Sequence, residues 1–274
     1  MRKGFLIQNA LLGASALVVA TGYAMPNRDQ TGPVLNAAAT FVNGTANAAS
    51  PTTTMVTATE GGEVVSDMVT SAVNAFSGIV RGLSHPEALS SAFKSYFAYK
   101  AAHPDDVKKP YLYFVDYGQP ATAKRGYVFD MQKLSIVDGP FTVAAGRGSA
   151  PDGGVPTRFG NSSGSSQTSL GLYVTKALYA FTGHASGRVY KSIGLRLDGV
   201  SKGFNDRALA RGVVAHGAPY VTPNKAGRSQ GCPAMEPSRA KRLLPKLAEG
   251  ALVFLFAPNK NWLSNDQWVT ASAI

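Results

Sequence analysis

The sequence predicts a mostly β domain with flanking helices, preceded by a helical N-terminal segment, on three observations. After Pro110, seven apolar runs rich in aromatic and β-branched residues are separated by Gly- and Ser-rich loops. Before them lie two stretches whose apolar residues recur at helical spacing. Ahead of those, residues 31–59 hold no charged side chain and show neither period.

In chain order, "MRKGFLIQNALLGASALVVATGYAMP" opens with Arg2 and Lys3, continues with an apolar core and ends in small residues around Ala20 and Ala24. This is the pattern of a secretory signal peptide, here residues 1–24, with an apolar core short of the ~20 residues a membrane span needs. The expected location is therefore exported, in the periplasm or cell envelope, with no stable membrane insertion once the signal is cleaved. Residues 25–62 read as a flexible tether. Residues 63–108 read as a helical segment: Val64, Met68, Val73, Phe76 and Val80 carry one helix. Leu89, Phe93 and Phe97 carry a second, with Ser84 as its N-cap and Pro86 in its first turn. The β domain is expected over 109–262, with a tail at 263–274. Its strands are 111–118, 125–131, 134–146, 169–175, 194–200, 212–217 and 251–258. The loop 146–167 is long for a structureless connector, which favours a functional role.

The formal charge is +11, and loss of Arg2 and Lys3 with the signal leaves +9, a balance suited to an anionic partner. Export and the lack of zinc-knuckle, RNP or helix-turn-helix patterns argue against nucleic acid. No H-E-x-x-H or close Cys/His cluster supports a metal.

The chemistry concentrates in "GRSQGCPAME", residues 227–236. Gly227 to Gly231 spell G-x-S-x-G, the nucleophile elbow of α/β-hydrolases, where Ser precedes Asp or Glu and then His. The four histidines are His85, His103, His184 and His216, and none follows Ser229. The serine match is coincidental. Cys232 is the chain's only cysteine, so it forms no internal disulfide. A lone thiol is either a small buried hydrophobe or a reactive group. His216 ends an apolar run sixteen positions earlier, where an imidazole can draw the thiol proton. Gly217 and Gly231 allow close backbone approach of substrate, and amides near Cys232 are candidates for an oxyanion pocket. The basic residues Lys225, Arg228, Arg239, Lys241, Arg242 and Lys246 favour a thiolate. For the last four, a solvated helix face explains the run better. His184 reads as a polar loop residue that lines the cleft only as the lesser alternative. Asp198 and Asn205-Asp206 read as turn and N-cap residues, and His85 and His103 as incidental.

The string from His216-Gly217 through "GRSQGCPAM" resembles the active-site motif of murein L,D-transpeptidases, the YkuD-type catalytic domain, in the branch with Pro-Ala after the cysteine. "LRLDGVSKGFNDRALARGVVAHGAPYV", "PTRFGN" and "SLGLY" also resemble that branch, so the similarity extends over most of residues 110–258. The resemblance implies a YkuD-like β-sandwich or barrel and a cofactor-free cysteine acyltransferase acting on peptidoglycan stem peptides. Cys232 would attack the carbonyl of the third stem residue, releasing the terminal D-alanine and leaving an acyl-enzyme. An amine of a second stem would resolve it as a 3-3 cross-link, or water as a carboxypeptidase would. His216 would be the base, with Ser229, Gly231 and Gly217 shaping the site. Many relatives carry Arg two residues after the cysteine where this chain has Ala234, and Arg228 is the candidate to take over that role. A hydrolytic wall enzyme and a non-catalytic wall-binding protein remain as the rival readings.

Overall fold

The computed structural model describes residues 58–151 and 154–271. The expected signal peptide, and the tether up to residue 57, lie outside the described residues. Two helices come first, α1 (Ala58–Ser77) and α2 (Ala88–Ala102). Then follow β1 (Tyr111–Asp116), β2 (Gly126–Asp130), β3 (Ser135–Phe141) and β4 (Ala145–Gly146). A long hairpin of β5 (Gly171–Ala185) and β6 (Arg188–Gly199) precedes β7 (Val214–Gly217), β8 (Arg228–Ser229) and β9 (Ala234–Met235). The chain ends with α3 (Pro237–Leu247), β10 (Leu252–Phe256) and α4 (Lys260–Asn265).

Eight strands form one sheet in the order β3-β2-β1-β10-β5-β6-β7-β9, while β4 and β8 pair separately. The middle of the sheet, Leu252–Phe256, is an unbroken apolar run buried on both faces, as a strand covered on both sides must be. It runs parallel to β1 and antiparallel to β5. β9 lies at one edge of the sheet, and Ala144, three residues beyond β3 at the other edge, bridges to Ala234 of β9 with N–H···O at 2.8 Å. The two edges therefore curl toward each other and meet. The expected single strand over 134–146 is split between β3 and β4, and this seam falls in the gap.

The helices belong to the same core. Val65, Ala72 and Phe76 of α1 and Leu89, Phe93 and Tyr96 of α2 are buried in one cluster with β1, β2 and β10. Phe129 of β2 is the contact point: its ring lies 4.6 Å from Phe76, 5.6 Å from Phe93 and 5.8 Å from Tyr127, within the range where aromatic pairs attract. Trp262 and Trp268 close the other side, and the Trp262 indole N–H donates to the buried carboxylate of Asp266 at 2.7 Å. No helix among the described residues is long and apolar enough to cross a membrane.

Four local expectations give way to tertiary demands. Ser84 is not the cap of α2, which starts after Glu87 with no side-chain cap. Instead the Ser84 N–H and hydroxyl both donate to Asp116, joined by Gly118 N–H and Gln119. A buried carboxylate needs donors more than a solvated helix end does. Asn205 does not start a helix: its amide accepts from Ser201 N–H and donates to Leu172 C=O, pinning a run of turns to β5. Asp198 sits within β6, paired with Lys176 at 3.2 Å. The fourth difference is the hairpin itself, since residues 176–193 were not expected as strand. Ser186 and Gly187, both at positive φ, close it as a two-residue turn of the primed kind.

Phe129→Ala is expected to destabilise the protein by about 3–5 kcal/mol, the usual cost of emptying an aromatic site in a core, read as a lower urea midpoint. The helices should loosen with it, seen as faster amide exchange in α1 and α2.

Candidate active site

β7 and β9 run parallel, with His216 opposite Ala234, and the His216 N–H donates to Pro233 C=O at 3.3 Å. This register sets the imidazole-bearing residue beside the residues that directly follow Cys232. Cys232 and His216 line one cleft of about 390 Å³ with Ser229, Gln230, Arg228, Arg147, Phe181, His184, Tyr190 and Tyr220. No hydrogen bond joins the two side chains among the described residues.

His216 is buried, and the Phe181 ring stacks on it at 4.4 Å. Its Nδ1 lies 3.1 Å from the Gly217 carbonyl oxygen. A carbonyl only accepts, so Nδ1 carries the proton and Nε2 is left with the lone pair. Burial lowers the imidazole pKa below its ordinary 6.5, with the Gly217 carbonyl acting against that. Cys232 is half-buried. Burial raises its thiol above the ordinary 9.0, opposed by hydrogen bonding to the Val214 backbone and by the charge of Arg211. The basic run 225–246 therefore does not make a thiolate, contrary to expectation. Arg239 and Arg242 of α3 converge on Asp138 instead. At neutral pH the resting pair is thiol and neutral imidazole.

The turn carrying Cys232 is locked by Ser229. Its hydroxyl donates to Cys232 C=O at 2.7 Å and accepts from Gly231 N–H at 3.1 Å. That bond occupies the Gly231 amide and leaves the Cys232 N–H, which has no partner among the described residues, as the amide available to an oxyanion. Gly231 has φ +120°, and a Cβ there would lie 2.8 Å from the Gln167 carbonyl oxygen. Gly217 serves packing rather than substrate: a Cβ on it would meet Ser192, Ala240 and Pro237 at 2.7–2.9 Å. Ala234 is fully buried between β7 and Ala144, so position 234 places nothing in the cleft.

Several cleft residues were not singled out in the sequence. Arg211 ties down the loop beside Gly231. It donates to Gly160 C=O (3.1 Å), Ser169 Oγ (2.5 Å) and Gln167 C=O (3.0 Å). Five residues before His216, it had proximity as its only signal. Thr168 N–H donates to Ser149 Oγ and Gly146 N–H to Thr168 Oγ1, both at 2.9 Å, which fixes residues 146–149 and with them the Arg147 side of the cleft. The opposite wall is the β5–β6 hairpin with Phe181 and Tyr190. His184 lies on β5, not on a loop, and lines the cleft with its ring exposed. His85 and His103 pack against Phe256 and Trp268 away from the cleft. Among the described residues no group of three or more His, Cys, Asp or Glu is placed to hold a metal.

Gly231→Ala is expected to cost about 1–3 kcal/mol, from backbone strain at positive φ and collision with Gln167. The loss should appear in a urea titration and as a displaced Cys232.

Residues 82–256 match the family described as the L,D-transpeptidase catalytic domain. No curated protein matches the chain. Among solved structures, it is similar to an L,D-transpeptidase from Mycobacterium smegmatis at 15% identity, covering 54% of this chain and 59% of that one with a TM-score of 0.34. A second, from Stackebrandtia nassauensis, matches at 16% identity over 62% of this chain and 66% of that one, with a TM-score of 0.33. The chain thus spans less than two thirds of the length of either. With well over half of its residues inside the matched span, and with the Cys232 turn and the His216 strand among them, the chain belongs to the L,D-transpeptidase catalytic domain family.

Proposed function

We propose that the chain is an exported cysteine acyltransferase that forms 3-3 cross-links between peptidoglycan stem peptides, working without a cofactor in the periplasm or cell envelope. One observation carries the reading: the only thiol of the chain shares a cleft with a buried imidazole whose Nδ1 is tied to a carbonyl, leaving Nε2 free to accept a proton.

The chemistry starts from the neutral pair. Sγ of Cys232 attacks the donor carbonyl as its proton passes to Nε2 of His216. The resulting oxyanion is met by the Cys232 N–H. Collapse breaks the C–N bond, His216 returns the proton to the departing amine of D-alanine, and a thioester remains on Cys232. An acceptor amine then attacks the thioester, His216 takes its proton, and the thiol is restored as the new amide forms. Water in place of the amine gives the carboxypeptidase outcome.

The deciding experiment incubates the protein with disaccharide-tetrapeptides and follows products and intact protein by mass spectrometry. D-alanine loss with dimer formation, and a thioester mass on the protein, is expected; tripeptide without dimer would mean a hydrolase. Absence of any adduct or turnover would sink the enzymatic reading in favour of a wall-binding protein. Cys232→Ala should abolish both adduct and product. His216→Ala should slow acylation by about 10², the scale of losing a general base.

The pH dependence follows from the shifts. Protonation disables His216, and its pKa lies below 6.5, so acylation should hold at pH 6.5 and fall only at more acidic pH. On the alkaline side, thiol ionisation lies above 9.0, so no second titration is expected between pH 6.5 and 9.0. A rate that climbs steadily across that interval would show that thiolate, not thiol plus imidazole, is the reacting form.

A further inference from the structure

We infer that Arg147 and Arg228 form an anion subsite at the mouth of the cleft, one that takes a free carboxylate of the donor peptide; the identity of that ligand rests on the acyl-transfer reading above. Arg228 lies in β8 and Arg147 directly follows β4. These two short strands run parallel, with Ala145 opposite Arg228 and Gly146 opposite Ser229. The Arg147 N–H donates to Ser229 C=O at 2.8 Å, which ties the two backbones together within the turn that leads to Cys232. Both side chains are exposed and both line the cavity that holds Cys232 and His216.

Charge balance distinguishes this pair from Arg211, Arg239 and Arg242. Arg239 and Arg242 are neutralised by Asp138, and Arg211 spends its terminal amino groups on the 160–169 loop. The Arg228 side chain makes no hydrogen bond or ion pair among the described residues. Among the described residues the Arg147 side chain donates only from Nε, to Ser166 Oγ at 3.3 Å, so its terminal amino groups have no partner there. Among the described residues, no Asp or Glu lines the cleft. Two guanidiniums held on adjacent strands without a counter-charge repel each other, and a carboxylate accepting from both forks removes that repulsion while gaining charge-assisted bonds. Arg228 stands only four residues before Cys232, so a carboxylate bound there belongs close to the scissile bond, on the leaving residue or on the side chain of the third.

The first arm of the test uses no peptide. Cys232 is the chain's only cysteine, so its alkylation by neutral iodoacetamide and by anionic iodoacetate can be compared directly. In each case the sulfur displaces iodide to form a thioether. The iodoacetate-to-iodoacetamide rate ratio should fall about tenfold in the Arg147→Gln/Arg228→Gln double variant, the scale expected for losing charge-assisted bonds. The iodoacetamide rate is the reference, since any change in thiol reactivity from the two lost charges enters both rates and cancels in the ratio. An unchanged ratio overturns the subsite. In the second arm, donor tetrapeptides with free carboxylates are compared with donors amidated at the C-terminus or at the third residue's side chain. Amidation at the relevant position should raise KM rather than lower kcat in the wild type, and the double variant should no longer discriminate. Which amide is penalised identifies the bound carboxylate, and a penalty from neither overturns the proposal. If no peptide acylates the protein at all, the acyl-transfer reading fails, while the alkylation ratio still decides whether the two arginines hold an anion.

Discussion

The cleft depends on a buried cation. Arg125 is almost fully inaccessible, and its guanidinium is held by carbonyl dipoles, donating twice to Val143 C=O at 3.0 and 2.7 Å and once to Gln119 C=O at 2.5 Å, with the Tyr117 ring face 4.8 Å away. Burying a charge costs several kcal/mol, which these acceptors offset, so displacing the carbonyls carries a large penalty. Next along the chain, Ala144 takes the Tyr117 hydroxyl on its carbonyl at 2.9 Å and gives its N–H to Ala234. The strand that follows Cys232 is thereby moored, through Ala144, to the most rigid polar cluster of the fold. β4 then leads from this anchor to β8, so both approaches to the cysteine turn are fixed by one guanidinium.

Around that anchor the electrostatics are simple. His216 is oriented by a backbone carbonyl and no carboxylate among the described residues contacts it, so its basicity is set by burial and by a dipole that does not titrate within any ordinary pH range. The thiol is likewise held neutral by burial. A resting thiol is a poorer target for oxidants than a thiolate.

Much of this was legible in the sequence, for reasons that differ by element. The runs that became β1, β2, β7 and β10 stand out because they are buried on both faces and are apolar but for Asp116, Asp130 and His216. The Cys232 turn was legible because its constraints are local: Ser229 and Gly231 bond within four residues. The cleft walls were not. Residues 176–193 alternate weakly, since neither face of the outer hairpin is buried in the core, and only Ser186-Gly187 marked its turn. Arg147 and Arg211 owe their roles to partners 19 to 82 positions away, such as Ser166, Gly160 and Ser229, and no spacing rule reaches that far. Ser84 was misread because the local cap signal competed with a carboxylate 32 residues on, and the carboxylate won.

The β5–β6 hairpin leads a double life along its length. From Gly171 to Thr175 every residue is buried, and Gly171 to Val174 pair with β10, whereas from Ala177 to Val189 most are at least partly exposed. The inner half answers to folding and the outer half only to what enters the cleft. Substitutions at the exposed positions between residues 177 and 189 thus carry little thermodynamic penalty, and within a lineage this arm is free to drift in sequence and length. Divergence in substrate choice among such proteins should accumulate there first, while the sheet beneath stays recognisable.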